Sequence, residues 1–354
     1  MFSIDFDFRP EEWKDYLSTS RRGTVYHTLE WRKVLESVFG YETRYSVCRN
    51  GRGDCVGVLP LAFVKSWITG NRVVSLPFSQ YGGPLVTDRG ALECIVEHLR
   101  GYLSHGFEYV RLGCRDTLGQ SLVGESDLKS SDYYSRCFVP LGGRTVNDVW
   151  KSIKSSTRRE VKQSARNGVV VEIGGSRTAD LDCFRSLILR TCRRHGIPTY
   201  PPELPDAIIN VLVPKGLARI FVARLRDETI ATLVLLTMNR EAVYAYNFSD
   251  ERFFRFRPNN ALLWEAIKWS LDMNLSSLDL GTSSPEDNEL LSFKLSWGAF
   301  KDKLHEYYIG GSDKILSGPD RRSSRRYRLA SFVWKRLPTF LASAIGPKLL
   351  SHFG

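Results

Sequence analysis

The sequence predicts an α/β protein built from two copies of one unit, followed by a basic amphipathic tail. Three observations carry that expectation. The order of elements in residues 43–113 recurs in residues 218–281: three strands, a loop, a helix, and a strand that stops at a glycine. The length, 354 residues, fits two domains at roughly 150 residues each. With 42% hydrophobic and 25% charged residues, the chain can bury sizeable cores, which excludes bulk disorder.

In the first half, residues 43–49, 55–64 and 71–77 are rich in Val, Leu, Tyr and Phe. Turn residues separate them, Asn50-Gly51-Arg52-Gly53-Asp54 and Gly70-Asn71, so they read as a strand meander. The loop Ser79-Gln80-Tyr81-Gly82-Gly83-Pro84 follows. A helix is expected from Ala91 to His105, with Leu92, Ile95, Val96, Leu99 and Leu103 on one face. A strand over Tyr109–Leu112 ends at Gly113.

The second half opens with an expected helix from Asn147 to Arg166, stopped at Gly168, and another over 179–195 that ends at Gly196-Ile197-Pro198. Strands are expected over 218–225, 230–237 and 242–248. The loop Arg255-Phe256-Arg257-Pro258-Asn259-Asn260 leads to a helix over 261–273. The strand Leu278-Asp279-Leu280 then ends at Gly281. These signals predict domains at 1–145 and 146–310 and a basic amphipathic extension at 311–354.

The net charge is +11, and it is local. Residues 150–168 hold Lys151, Lys154, Arg158, Arg159, Lys162 and Arg166 against Glu160 alone. Residues 321–336 hold Arg321, Arg322, Arg325, Arg326, Arg328, Lys335 and Arg336 and no acid. Clustered charge points to an anionic partner: nucleic acid, a phosphorylated substrate or an anionic membrane. The seven cysteines form no C-x-x-C pair and read as reduced thiols, and the six histidines lack ligand spacing, so no metal site is expected. No apolar leader precedes Glu12 and no run reaches the ~18–20 apolar residues of a membrane span. A cytoplasmic protein is expected, with the 320–354 tail offering a peripheral contact at the inner face of the membrane, or else a contact to tRNA or a partly disordered end.

A strand meander, a helix and a strand at a switch point is the order of GNAT acyltransferases, where the helix N-terminus faces donor phosphates. The place of the Gly-rich acyl-CoA loop is taken by Arg257-Pro258-Asn259-Asn260 in one half and Gly82-Gly83-Pro84 in the other. Seven stretches then carry a more specific likeness: His27–Trp31, Leu76–Gly83, Ser156–Val161, Arg194–Pro198, Arg257–Asn260, Leu278–Gly281, and Phe293-Lys294 with Trp297-Gly298. In these the chain resembles the FemABX peptidoglycan aminoacyltransferases and their FemAB-like GNAT relatives. The resemblance implies two tandem GNAT-like domains with a cleft between them. It also implies transfer of an amino acid from aminoacyl-tRNA to an amine on a cell-wall precursor.

The same resemblance places Lys294 at the acyl carbonyl, where a cation stabilises an oxyanion or leaving group; the alternative is a surface lysine. Asp279 ends a strand where such folds hold ligands; it either orients or deprotonates the incoming ammonium, or caps the turn through Thr282 or Ser283. Arg158, Lys162 and Arg166 recur at i, i+4 and i+8, with Arg159 beside them, as a phosphate grip or a solvated basic face. His195 either titrates in the cleft or interacts with its helix C-terminus. Tyr81, Tyr246, Asn247 and Asn260 are candidate substrate contacts or packing residues, Asn259 is a contact or an N-cap residue, and Phe293 accompanies Lys294 in its motif.

Three functions fit. The first is N-acyl or aminoacyl transfer, with aminoacyl-tRNA as donor and an amine-bearing envelope precursor or glycoconjugate as acceptor, and no cofactor. The second takes acyl-CoA or an acyl-carrier protein as donor and an amino sugar or amino acid as acceptor. The third is a non-catalytic RNA- or membrane-binding module.

Overall fold

The computed structural model describes residues 1–118, 128–174, 178–312 and 325–354. In chain order the strands are β1 (Ser3–Asp5), β2 (Glu42–Arg49), β3 (Cys55–Val64), β4 (Arg72–Val74), β5 (Leu85–Val86), β6 (Tyr109–Cys114), β7 (Leu128–Ser131), β8 (Ser135–Pro140), β9 (Val169–Ile173), β10 (Ala218–Leu225), β11 (Glu228–Met238), β12 (Glu241–Ser249), β13 (Ser277–Ser283), β14 (Phe300–Lys303) and β15 (His305–Gly310). The helices are α1 (Pro10–Thr19), α2 (Leu29–Ser37), α3 (Arg89–Arg100), α4 (Val146–Ser152), α5 (Ser155–Arg166), α6 (Thr178–His195), α7 (Leu204–Ala207), α8 (Pro258–Asp272), α9 (Asn288–Ser296), α10 (Arg325–Arg336) and α11 (Thr339–Leu350).

The chain forms two compact units. The first comprises residues 1–134, 303–321 and 348–354; the second comprises 135–302 and 322–347. The boundaries expected at 145 and 310 therefore move, and the extension expected at 311–354 is divided between the units. The reason is strand pairing that no local signal encodes. β15 comes from the second half of the sequence and pairs antiparallel with β6 and β7, so it joins the first sheet. β8, from the first half, pairs antiparallel with β13 and joins the second.

In the first unit the sheet order is β1-β2-β3-β4-β6-β15-β7, with β5 on β3. α3 covers it with Leu92, Ile95, Val96 and Leu99, the face the sequence predicts, all buried against Leu59, Leu61, Val73, Val110 and Ile309. Asp88 caps the helix by accepting from the Ala91 N–H at 2.8 Å.

The second unit repeats the plan in the order β14-β8-β13-β12-β11-β10-β9. α8 buries Leu262, Leu263, Ala266 and Ile267 against Phe221, Leu233, Leu235 and Leu278. The one helix expected over 147–166 is two. Ile153 turns extended and sinks into the core, and the Lys154 N–H bonds the Ser296 carbonyl at 2.8 Å instead of continuing the helix. Trp297 is fully buried, and Gly298 beside it has φ +72°, where a Cβ would sit 2.7 Å from Ser152 Oγ. The Trp297-Gly298 motif is thus a packing motif that fixes the end of α9.

Arg321 and Arg322 of the basic tail lie outside the described residues. The tail's remainder forms α10 and α11. Among the described residues, no helix is long and apolar enough to cross a membrane.

Candidate active site

The second unit contains a cavity of about 460 Å³ where its central strands separate. β12 and β13 pair in parallel only from Glu241–Val243 to Ser277–Asp279, although both strands run on. An extra residue in β12, Ala245, adds a bulge at the separation. α8 begins in the gap.

The floor is built by residue parity. The β12 bulge puts Tyr244 and Asn247 on the cavity side and sends Tyr246 to the other face, where its ring meets Tyr200 and Phe248. Tyr246, expected as a contact, is therefore a packing residue, and Tyr244 takes its place. A second bulge, at Leu280-Gly281 in β13, acts likewise. Leu280 lines the cavity, while Asp279 does not. The Asp279 carboxylate accepts the Gly281 N–H at 2.7 Å and lies 3.7 Å from Arg136. It holds the bulge, where Gly281 has φ +84°. The base role expected for Asp279 gives way to a structural one, close to the turn-capping alternative but through Gly281.

Lys294 stands on the wall. It projects from α9 and is only 4% exposed. Its Nζ donates to the Thr282 carbonyl at 2.7 Å and to Ser283 Oγ at 3.0 Å, both at the end of β13. Burial pulls its pKa below the ordinary lysine value, opposed by Cys137 and by the carboxylates of Asp279 and Asp287. Phe293 and Leu290 complete this wall.

The third side is the start of α8. Arg257 adopts a left-handed conformation, φ 59°, and Pro258 occupies the first helical position. Asn259 and Asn260 follow and line the cavity. The first turn of a helix leaves N–H groups without intrahelical acceptors. The Asn259 amide nitrogen reaches Ser249 Oγ at 3.3 Å, and its buried Oδ1 has no partner among the described residues. The Asn260 amide donates to Glu160 at 3.2 Å, and Glu160 also lies 3.5 Å from Arg257. Asn247 donates to the Thr232 carbonyl at 3.1 Å.

The rim is cationic. Arg194 donates to the Ser249 carbonyl at 3.0 Å and stacks over Phe254 at 4.6 Å. Burial lowers its pKa from the usual value. His195 is exposed on the rim, with Nε2 3.3 Å from Arg194. Arg194, Arg257 and Lys294 line the cavity, and among the described residues no carboxylate does. Sequence reasoning missed Arg194, Tyr244, Arg257, Phe254 and Leu290. Arg194 and Arg257 were within reach, since both fall in stretches that carry the resemblance.

Arg158, Arg159 and Lys162 lie outside the cavity lining, on α5. Arg158 is half-buried, Arg159 and Lys162 are exposed, and the Lys162 ammonium stands 6.0 Å from the Trp150 ring centre. Glu160 of α5 stands behind the lining and contacts Asn260 and Arg257.

Tyr81 belongs to the first unit. The equivalent opening there is nearly closed, at about 30 Å³. The Ser75, Gly82 and Gly83 N–H groups bond β6 carbonyls, so the loop is laced to the strand. A Cβ on Gly82 would sit 2.1 Å from the Ser75 carbonyl oxygen, and one on Gly83 2.3 Å from Cys114 Sγ. These glycines permit close packing and do not form a phosphate cradle. His27 seals the site, 2.9 Å from the Gly83 carbonyl, and burial pushes its pKa down to about 4.

Splayed parallel strands with a helix N-terminus between them are the donor site of a GNAT domain, and residues 151–294 match the family model described as an acetyltransferase (GNAT) domain. The match lies within the second unit, whose fold is that of a GNAT domain. Among solved structures, FemX is 15% identical over 87% of this chain and 98% of its own, with a TM-score of 0.67. The C-terminal domain of a putative lysylphosphatidylglycerol synthetase from Agrobacterium fabrum is 12% identical over 87% of this chain and 94% of its own, with a TM-score of 0.61. A tandem GNAT protein from the clavulanic acid pathway is 13% identical over 88% and 99%, with a TM-score of 0.57. No curated protein matches the chain. At these identities the likeness is one of fold. The chain has the tandem GNAT fold of FemX, as its recurring element order and its FemABX-like motifs predict.

Proposed function

We propose that the protein is an N-acyltransferase that moves an aminoacyl group from aminoacyl-tRNA to an amine on a cell-envelope precursor or glycoconjugate. The observation that carries this reading is Lys294: a buried ammonium fixed by two hydrogen bonds at the splayed strands, on the wall of a cavity whose described lining holds Arg194 and Arg257 and no acid. Two of its three hydrogens are anchored, which leaves the third for a ligand.

In the reaction the acceptor amine attacks the ester carbonyl, a C–N bond forms, and negative charge moves onto the carbonyl oxygen. Lys294 donates a hydrogen bond to that oxygen, and its orientation is set before the reaction starts. The C–O bond to the ribose then breaks and the leaving oxygen takes the amine's proton. Asn247 and Asn259 orient the aminoacyl group, and Arg194 meets the phosphates of the tRNA end. The basic face of α5 at Arg158, Arg159 and Lys162 extends that grip along the RNA.

Glu160 favours an ester on RNA over an acyl-CoA donor. A diphosphate at the α8 N-terminus needs open backbone N–H groups and no adjacent anion. Here Pro258 lacks an N–H, and Glu160 already bonds Asn260.

The test is a donor panel read by mass shift. One reaction holds total charged tRNA and the other acyl-CoA and acyl-carrier thioesters, each with a mixed pool of amine-bearing envelope precursors. Ribonuclease-sensitive transfer that disappears in Lys294→Ala is expected. Transfer from thioesters alone overturns the aminoacyl-tRNA reading.

A further inference from the structure

We infer that α10 is an interfacial anchor that docks the second unit onto an anionic bilayer. One side of α10 is fixed to the protein. Trp334 is buried, Ser331 Oγ lies 3.5 Å from the His195 carbonyl, and Arg193 donates to the Lys335 carbonyl at 3.1 Å. The other side is apolar and open to solvent. Leu329 is 65% exposed, Phe332 53% and Val333 50%, and these fall on one stripe by the i, i+3, i+4 spacing. Phe340, at the start of α11, adds a further ring at 68% exposure.

Charge decides the partner. Arg328, exposed, precedes Leu329 in the helix, and the Arg336 guanidinium lies 3.5 Å from the Phe332 ring centre within the stripe. Residues 321–336 contain no acid. Large aromatic and aliphatic side chains on a helix that carries cations and no acid suit the boundary between anionic headgroups and acyl chains. A protein partner of ordinary composition would face an unpaired ring of like charge. An RNA partner would use the cations and leave Leu329 and Val333 wet.

The position also has a consequence for the site. α10 is bonded to the residue, His195, that forms part of the cavity rim. Docked through Leu329 and Phe332, the second unit would work on an acceptor held at the same lipid surface. That consequence rests on the acyltransferase reading; the docking does not.

The experiment is flotation of the full chain with vesicles of phosphatidylcholine alone or mixed with phosphatidylglycerol. Binding is expected to the anionic vesicles and to weaken with salt. Leu329→Ser with Phe332→Ser should lower the partition coefficient at least tenfold at unchanged thermal midpoint, because both side chains are exposed. Arg328→Glu with Arg336→Glu should lower it by about fivefold or more per charge. Absence of binding to anionic vesicles at low salt overturns the proposal, as does binding that neither pair of changes weakens. Retention of total tRNA that only the charge reversals abolish, without vesicle binding, would make α10 an RNA contact. Donor-panel turnover is read separately on soluble acceptors, so failure of docking and failure of acyl transfer remain distinct.

Discussion

Replacing Lys294 by Met removes the ammonium and keeps most of the side-chain bulk. Met is unbranched and fills irregular space, so the cavity wall persists. Two hydrogen bonds to β13 disappear, each worth about 1.5–3 kcal/mol when the donor is charged. The desolvation of a 4% exposed cation, which is what lowers its pKa, disappears with them. These effects oppose each other, so stability should change by less than about 2 kcal/mol. Activity has no such offset. Losing one oriented donor to a developing oxyanion costs about 10²–10³ in kcat, or about 2.7–4 kcal/mol. The assay is single-turnover transfer at saturating donor, which separates kcat from KM. The pH dependence adds a second reading. Burial depresses the Lys294 pKa, so the working ammonium is lost on the alkaline side at a lower pH than for an ordinary lysine. Between that pKa and the ordinary value the unfolded chain holds more protons, so stability rises with pH there, and Lys294→Met should abolish the rise. A variant that keeps its fold and turns over within threefold of the wild type would refute the reasoning.

Three further outcomes follow from the same geometry. His27 has a folded pKa of about 4 against 6.5 unfolded, so the unfolded chain binds more protons between those values; stability should fall by about 3 kcal/mol as pH drops through that window, and chemical denaturation of His27→Gln should show a flatter profile. Asp279→Asn should lower stability by about 1–3 kcal/mol, because Arg136 loses the charge beside it, while the acidic limb of kcat/KM stays in place; a shifted limb at wild-type stability would restore its role as a base. Arg158→Glu with Arg159→Glu should raise KM for charged tRNA about equally across tRNA species and reduce the salt slope by about 2, and an unchanged KM at low salt would remove α5 from the binding face.

The elements were legible in the sequence because their signals are local. The predicted strands over 218–225 and 55–64 match β10 and β3, and the apolar face of α3 is buried as its spacing implies. The boundaries were not legible, because β8 and β15 are ordinary strands whose partners are fixed by topology far along the chain. The break at Ile153-Lys154 was hidden for a related reason: it is set by the Ser296 carbonyl, nearly half the chain away in sequence. At the site, Lys294, Asn247, Asn259, Asn260, Phe293 and His195 were named from sequence and the structure brings them to one cavity. Asp279 and Tyr246 were misplaced by one residue of parity each. A bulge shifts which side chains share a face, and no pattern of residue types marks Ala245 as the extra one.

The central claim is that the donor's acyl end binds in the second unit's cavity, and photo-crosslinking tests it most directly. The reagent is tRNA charged with a benzophenone-bearing phenylalanine through a stable amide, irradiated with the full chain and mapped by peptide mass spectrometry. Crosslinks within 241–260 and 288–296, reduced in Asn259→Ala and competed by ordinary charged tRNA, are the predicted result. Crosslinks confined to 22–27, 81–85 or 113–118, around the closed opening of the first unit, would contradict it.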